Sequence, residues 1–310
     1  MNFENYKDAF IAAVLDIAKN NNDVVFLDAD LASCIGSTAF QNEYPDRFFN
    51  CGIAEANMAA VAAGLSSMGY TPYIHSFGCF ASRRDYDQLF ISVGYANRTV
   101  HVIGTDPGIT AQYNGGTHMP FEDIALMRQI PNFSIVEPSD DYSLYLLTKQ
   151  LYEEKKPSYT RMPRKGVIHR YSEKDDIRLG KAMELADGKD IAIIALGAFL
   201  VNEAMKAKDI LVDKGIQATV IDLLSVRPLD TETLDKVRNR CNRILVCENG
   251  RYCGGIGEMI STYYSRKNPA KMEFINVGDR FGEVGSLEYL SNTFGFTCDN
   301  IVDKAMELCR

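Results

Sequence analysis

The pattern that most constrains this chain is an alternation of short apolar runs with longer amphipathic segments. Residues 5–20 read as an amphipathic helix, and "DVVFLDAD" (23–30) follows as a short buried strand that ends in acids. "TPYIHSF" (71–77), "TVHVIGTD" (99–106), "PNFSIVEPSD" (131–140) and "PSYTRMPR" (157–164) repeat the strand signal, with helical stretches such as "SRRDYDQLFISVGYAN" between them. Apolar strands that alternate with helices specify a parallel sheet covered on both faces. Residues 166–189 lose the apolar rhythm and become charged, which marks a linker. The alternation then restarts in "DIAIIALGA", "QATVIDLLSVRPL" and "RILVCEN". The fold class expected is therefore α/β, as two parallel-sheet domains over residues 1–165 and 190–310. A length of 310 residues agrees, because one hydrophobic core rarely fills that many.

Composition narrows the function classes. With 33 Lys and Arg against 41 Asp and Glu, the net charge is −8. No cationic excess is available to neutralise phosphates, so nucleic acid is not an expected partner. The N-terminal "MNFENYKDAFIAAVLDIAKNN" carries acids within its apolar pattern, unlike a signal peptide, and no apolar run approaches the length of a membrane span. A cytoplasmic protein without a membrane partner is expected. Eight cysteines are spread along the chain with no C-x-x-C pair, which argues for reduced, mostly core thiols and against zinc. "GGIGE" (254–258) lacks both the dinucleotide-binding spacing and the Walker lysine, and reads as a tight turn into a helix.

One carboxylate stands out. "NCGIAEANMAAVAAG" (50–64) is a run of small and apolar residues that holds a single charge, Glu55. If a helix starts near Ala54, Glu55 lies in its first turn, where a negative side chain meets free N–H groups and needs no function. The alternative is a poorly solvated carboxylate with a specific partner. Other unusual residues fall where parallel strands should end: Asp28 and Asp30, Phe77 and Phe80 in "HSFGCF", His118 in "NGGTHMP", and Arg161 with Arg164 in "TRMPR". Taken singly, each has an ordinary reading as turn, core or salt-bridged residue. Taken together, they line one cleft edge with a carboxylate, an aromatic face, an imidazole and two guanidiniums, at the sheet edge where open α/β folds bind ligands. That set suits a planar cationic cofactor beside an anionic substrate.

From about residue 5 to its end, the chain resembles the C-terminal half of transketolase, the pyrimidine-binding and C-terminal domains of a thiamine diphosphate enzyme. The resemblance is carried by "DADLA", "YPDRFFNCGIAEANM", "HSFGCF", "GGTHMPFEDIALMRQIPNFSIVEPSD" and "PSYTRMPR". It implies that Glu55 hydrogen-bonds the aminopyrimidine ring nitrogen and favours the imino form. It places Phe80 and Phe77 against the ring, and Asp30 and Leu31 beside the cofactor or the channel mouth. His118 then meets the substrate's upper hydroxyls, and Arg164, with Arg161 nearby, holds a distal anion. Asn114 stands where an aspartate is common, Cys34 where a phosphate-binding serine is common, and Arg83 where an aromatic is often found. These departures put the acceptor end in question. No G-D-G segment occurs in the chain. The resemblance therefore implies one subunit of a split transketolase, whose N-terminal partner subunit holds Mg²⁺ and the diphosphate, with homodimers joined in an α2β2 assembly. The beta subunit of a 2-oxo-acid dehydrogenase, a deoxyxylulose-phosphate synthase-like subunit and a non-catalytic scaffold are the alternatives.

Overall fold

In the computed structural model, which describes residues 2–310, burial accounts for the strands first. Every residue is buried in β1 (Val24–Asp28), β4 (His101–Thr105) and β6 (Ser158–Met162), as are all but the last of β3 (Thr71–Phe77). Alternate residues serve opposite faces. Val25, Leu27, Ile74 and Val102 pack with Met58 and Ala62 of the helix Glu55–Ser67, whereas Val24, Phe26, Tyr73 and Ile103 pack with Phe10 and Val14 of the helix Tyr6–Asn20. With β2 (Phe48–Asn50) and β5 (Ser134–Val136), these strands are parallel. β2 was not expected from the sequence.

The second sheet has β8 (Ile191–Ala195), β9 (Ala218–Asp222), β11 (Arg243–Cys247) and β12 (Lys271–Ile275) in parallel. Each sheet departs from the all-parallel expectation at one edge. β7 (Met183–Ala186) pairs antiparallel with β9, inside the stretch expected to be linker. The rest of that stretch is not free either, because Tyr171 and Ile177 are buried against Tyr142, Leu147 and Leu224. The segment "QATVIDLLSVRPL" divides into β9 and β10 (Ser225–Arg227), and β10 crosses to the first sheet, where it pairs antiparallel with β5. The strand orders are β10-β5-β6-β4-β3-β1-β2 and β12-β11-β8-β9-β7. One apolar cluster accordingly runs from Ile135 and Tyr159 through Val226 to Ile194 and Val246 without a break. No helix among the described residues is long and apolar enough to cross a membrane.

The "GGIGE" turn enters the helix Ile256–Lys267, as expected. Its first N–H groups are capped by Glu248 at the end of β11, which accepts from Ile256 N at 2.7 Å and Gly257 N at 3.1 Å. Burial pushes the Glu248 carboxyl up to about 7, against the pull of those donors. Burial likewise raises Asp222, to about 6. An acid raised on folding gives the native state extra bound protons, so its contribution is full below the unfolded value and is lost as pH rises through the folded one. Stability is therefore expected to decline between about pH 5 and pH 8, with Glu248 contributing about 3 kcal/mol of that decline. Urea titrations of wild type and Glu248→Gln across this range check it: the variant should show the shallower slope.

Candidate active site

The carboxyl ends of β1, β3, β4 and β6 bring most of the predicted residues together. After β1 the chain turns sharply, with Asp30 in a left-handed conformation at φ 63° and Asp28 accepting from the Leu31 N–H. Asp28 is fully buried and also contacts His75 Nδ1 at 3.0 Å, while His75 Nε2 lies 3.2 Å from Thr105 Oγ1. This polar chain across three strands fixes the turn that presents Asp30 and Leu31. Asp30 accepts from Asn50 Nδ2 at 3.1 Å, so β2 braces the same corner.

Glu55 opens its helix and is 1 % exposed. Both open readings hold in part: it is a first-turn residue, and it has specific partners. Oε1 accepts from Ser76 Oγ at 3.0 Å, and Oε2 pairs with Arg84 Nη1 at 2.8 Å. The Arg84 guanidinium also lies over the Phe80 ring, 4.2 Å from its centre. Phe77, Phe80 and His118 form an edge-on aromatic group beside this pair, with centroids 6.3 Å (Phe77–Phe80), 5.8 Å (Phe77–His118) and 5.2 Å (Phe80–His118) apart. All three are half-buried. Next to Glu55, the buried Asp85 has neither carboxylate oxygen hydrogen-bonded among the described residues. Burial pushes its carboxyl well up, and the Glu55 charge adds to the effect.

The loop that carries His118 is clamped from several sides. Arg83 donates to Thr117 O at 3.1 Å and pairs with Glu122 at 3.2 Å, which makes it a brace for this loop. Asn249 of the second domain accepts from Ile109 N and donates to Pro107 O, both at 3.0 Å. At Gly116, a Cβ would collide with Gly282 O, so only glycine lets the second-domain backbone approach this closely. Asn114 is exposed and lines a cavity of about 390 Å³ together with Asp106, Arg164 and Lys165. Arg164 pairs with Asp106, and the half-buried Cys34 thiol lies against its guanidinium.

Arg161 corrects the expectation of two substrate-facing arginines. It is 1 % exposed, with Nε on Asp123 at 2.7 Å, Nη1 on Glu137 at 2.8 Å, and Nη2 on the carbonyls of Pro120 (2.9 Å) and Asn249 (2.8 Å). Arg161 lies inside β6, and its side chain is spent on two buried carboxylates and a carbonyl of its own domain and on one carbonyl of the second. Arg164 lies two residues past the strand end, at the open edge. The sequence reading missed Ser76, Arg84 and Asp106. Arg84 had a usable signal, since it sits four residues after Phe80 in a short helix and so on the same face.

Residues 4–168 match the transketolase pyrimidine-binding domain and residues 180–301 match the transketolase C-terminal domain. Over 302 residues the chain is 39 % identical to a 6-deoxy-6-sulfo-D-fructose transketolase subunit of Clostridium sp. (strain MSTE9), covering 97 % of this chain and 94 % of that one. It is 31 % identical over 306 residues to an apulose-4-phosphate transketolase subunit of Phocaeicola vulgatus, covering 98 % and 97 %. Its fold is similar to that of a solved split-gene transketolase described as an inactive beta4 tetramer, with a TM-score of 0.91, 32 % identity, and 99 % and 100 % of the two chains covered.

Proposed function

The chain belongs to the transketolase family through both of its domains, and from that premise we propose that it is the C-terminal subunit of a split transketolase, moving a two-carbon ketol unit from a ketose to an aldose. The observation that carries this reading is the buried Glu55 carboxylate beside Phe80, Phe77 and His118 at the carboxyl edge of the sheet. A solvent-shielded acceptor next to an aromatic face fits an aminopyrimidine, which in its imino form offers a ring N–H and a flat surface. When bound, thiamine diphosphate supplies the carbon centre that takes up and releases the transferred unit.

This chain's residues then divide the remaining work. Glu55 holds the proton of the ring nitrogen, positioned by Ser76 and Arg84. Phe80 and Phe77 give the ring a surface, and Asp30 with Leu31 lines the entrance. His118, half-buried between ring and mouth, donates to hydroxyls of the transferred unit. Arg164 receives an anion at the far end of the sugar, near Asn114 and Cys34. A distal anion is consistent with the names of the two relatives, whose sugars bear a sulfo or a phosphate group.

The partner holds Mg²⁺ and the diphosphate. On the helix Glu55–Ser67, Val61 is 39 % exposed, and on the neighbouring stretch Leu89–Tyr95 Ile91 and Tyr95 are 50 % and 85 % exposed. Large apolar side chains left in water on the Glu55 helix and the stretch packed beside it suit a surface that the partner covers. The "inactive" in the similar structure's description supports a requirement for a second kind of chain in this one too. The test is a ketol-transfer assay with thiamine diphosphate and Mg²⁺. The purified chain alone should be silent, and a chain bearing the G-D-G diphosphate segment should restore transfer. Transfer by the chain alone would overturn the partner requirement.

A further inference from the structure

We propose that the cavity between the two domains, at the start of the helix Ala198–Asp213, is a second ligand site that takes a free α-amino acid with an apolar side chain.

The topology of the second sheet leads to this place. β8 and β11 are neighbours, yet the chain leaves them for opposite faces. After β8, the helix Ala198–Asp213 packs through Leu200, Val201 and Ala204 with Ile191 and Ile193; after β11, the helix Ile256–Lys267 packs through Ile256 and Ile260 with Ala192 and Ile194. Such a divergence opens a crevice at the carboxyl ends of the two strands, where open α/β sheets bind ligands. A cavity of about 260 Å³ lies there, floored by residues 196–200 and Asn249 and roofed by first-domain residues that include Tyr6, Glu137 and Ile168. It shares a wall of Thr110, Pro163 and Lys165 with the 390 Å³ cavity, but the latter does not reach the strand ends of the second sheet.

Two polar features meet in it. The helix Ala198–Asp213 has no side-chain cap, and the N–H groups of Ala198, Phe199 and Leu200 make no hydrogen bond among the described residues. With the exposed Lys165 at the rim, they suit a carboxylate. Glu137, 3 % exposed, gives only Oε2 to Arg161, at 2.8 Å, while its Oε1 accepts no hydrogen bond among the described residues. Oε1 lies against Gly197, so closely that a Cβ there would collide with it. Asp123 and Glu137 bring two carboxylates to the one Arg161 guanidinium, so Oε1 is the open side of a buried group with one negative charge in excess. An ammonium completes that group. An acceptor for a cation and donors for an anion thus stand side by side at Gly197, as the two charged groups of an amino acid stand on one α-carbon. Phe199, Leu287 and Ile168 make the remaining wall apolar, which selects the side chain.

The chain has no tryptophan, so Phe199→Trp places a lone fluorophore on the cavity wall. Titration of that full chain with L-leucine should give a saturable change in emission, with a Kd of about 1 mM or tighter. Calorimetry on wild type should give the same affinity, which checks that the new side chain leaves the cavity open. Leucinamide, which lacks the carboxylate, and 4-methylpentanoate, which lacks the ammonium, should each bind at least about tenfold more weakly. Glu137→Gln, in which Arg161 still holds Asp123, should lose the preference for L-leucine over 4-methylpentanoate. No saturable binding of L-leucine to wild type, equal binding of either analogue, or an unchanged preference in Glu137→Gln would each overturn the proposal. The wild-type affinities decide the matter even if a variant folds poorly. Because these titrations need neither cofactor nor partner, their failure is separable from a failure of ketol transfer.

Discussion

Glu55→Gln in the assembled complex is expected to lower ketol-transfer turnover by about 10²–10⁴-fold, the range that a positioned proton-transfer group contributes. The variant should fold and assemble normally. Glutamine has the same shape, its carbonyl can accept from Arg84 Nη1, and its amide can donate to Ser76 Oγ, so both contacts of the wild-type carboxylate have a counterpart. What it loses is the charge that draws the ring nitrogen's proton. Steady-state rates measured beside thermal melts separate the two effects. Near-normal turnover would return Glu55 to the role of an ordinary first-turn residue.

Arg161→Met is expected to act on stability in place of chemistry, and severely. Methionine fills much of the same volume, yet it leaves Asp123 and Glu137, 0 % and 3 % exposed, without their common cation. It also frees the carbonyls of Pro120 and Asn249. Removing one partner of a buried ion group costs about 3–5 kcal/mol, because the stranded charge has no solvent to turn to. Urea denaturation of the single variant should show a loss of that size. Adding Asp123→Asn and Glu137→Gln should recover a good part of it. A single-variant loss below about 1 kcal/mol would mean that the group rearranges or admits water.

These two residues also show what could be read from the sequence and what could not. The strands and helices of both domains follow from apolar runs and their spacing, since β1, β4 and β8 are buried at every position. The cluster at the carboxyl edge follows too, because a parallel sheet gathers its strand ends on one side. Arg161 and Arg164 are three residues apart, and periodicity alone does not say where β6 stops. That boundary decides which one is buried in the domain junction and which one meets the cleft. β7 hides in a charged stretch because an edge strand keeps one side in water and tolerates polar residues. β10 is three residues long and finds its partner in the other domain, a pairing no local pattern announces. Arg84 carries a helical-spacing signal to Phe80, but its pairing with Glu55, 29 residues away, depends on how two separate elements pack and is not written in any local pattern.

The crossing of β10 has a consequence for how such a protein can be cut up. A break between these two domains would part β10 from β5 and leave a buried apolar strand with a bare edge, inviting pairing with whatever chain comes by. Expressed without the second domain, the first is therefore expected to lose solubility through its bared β5 edge.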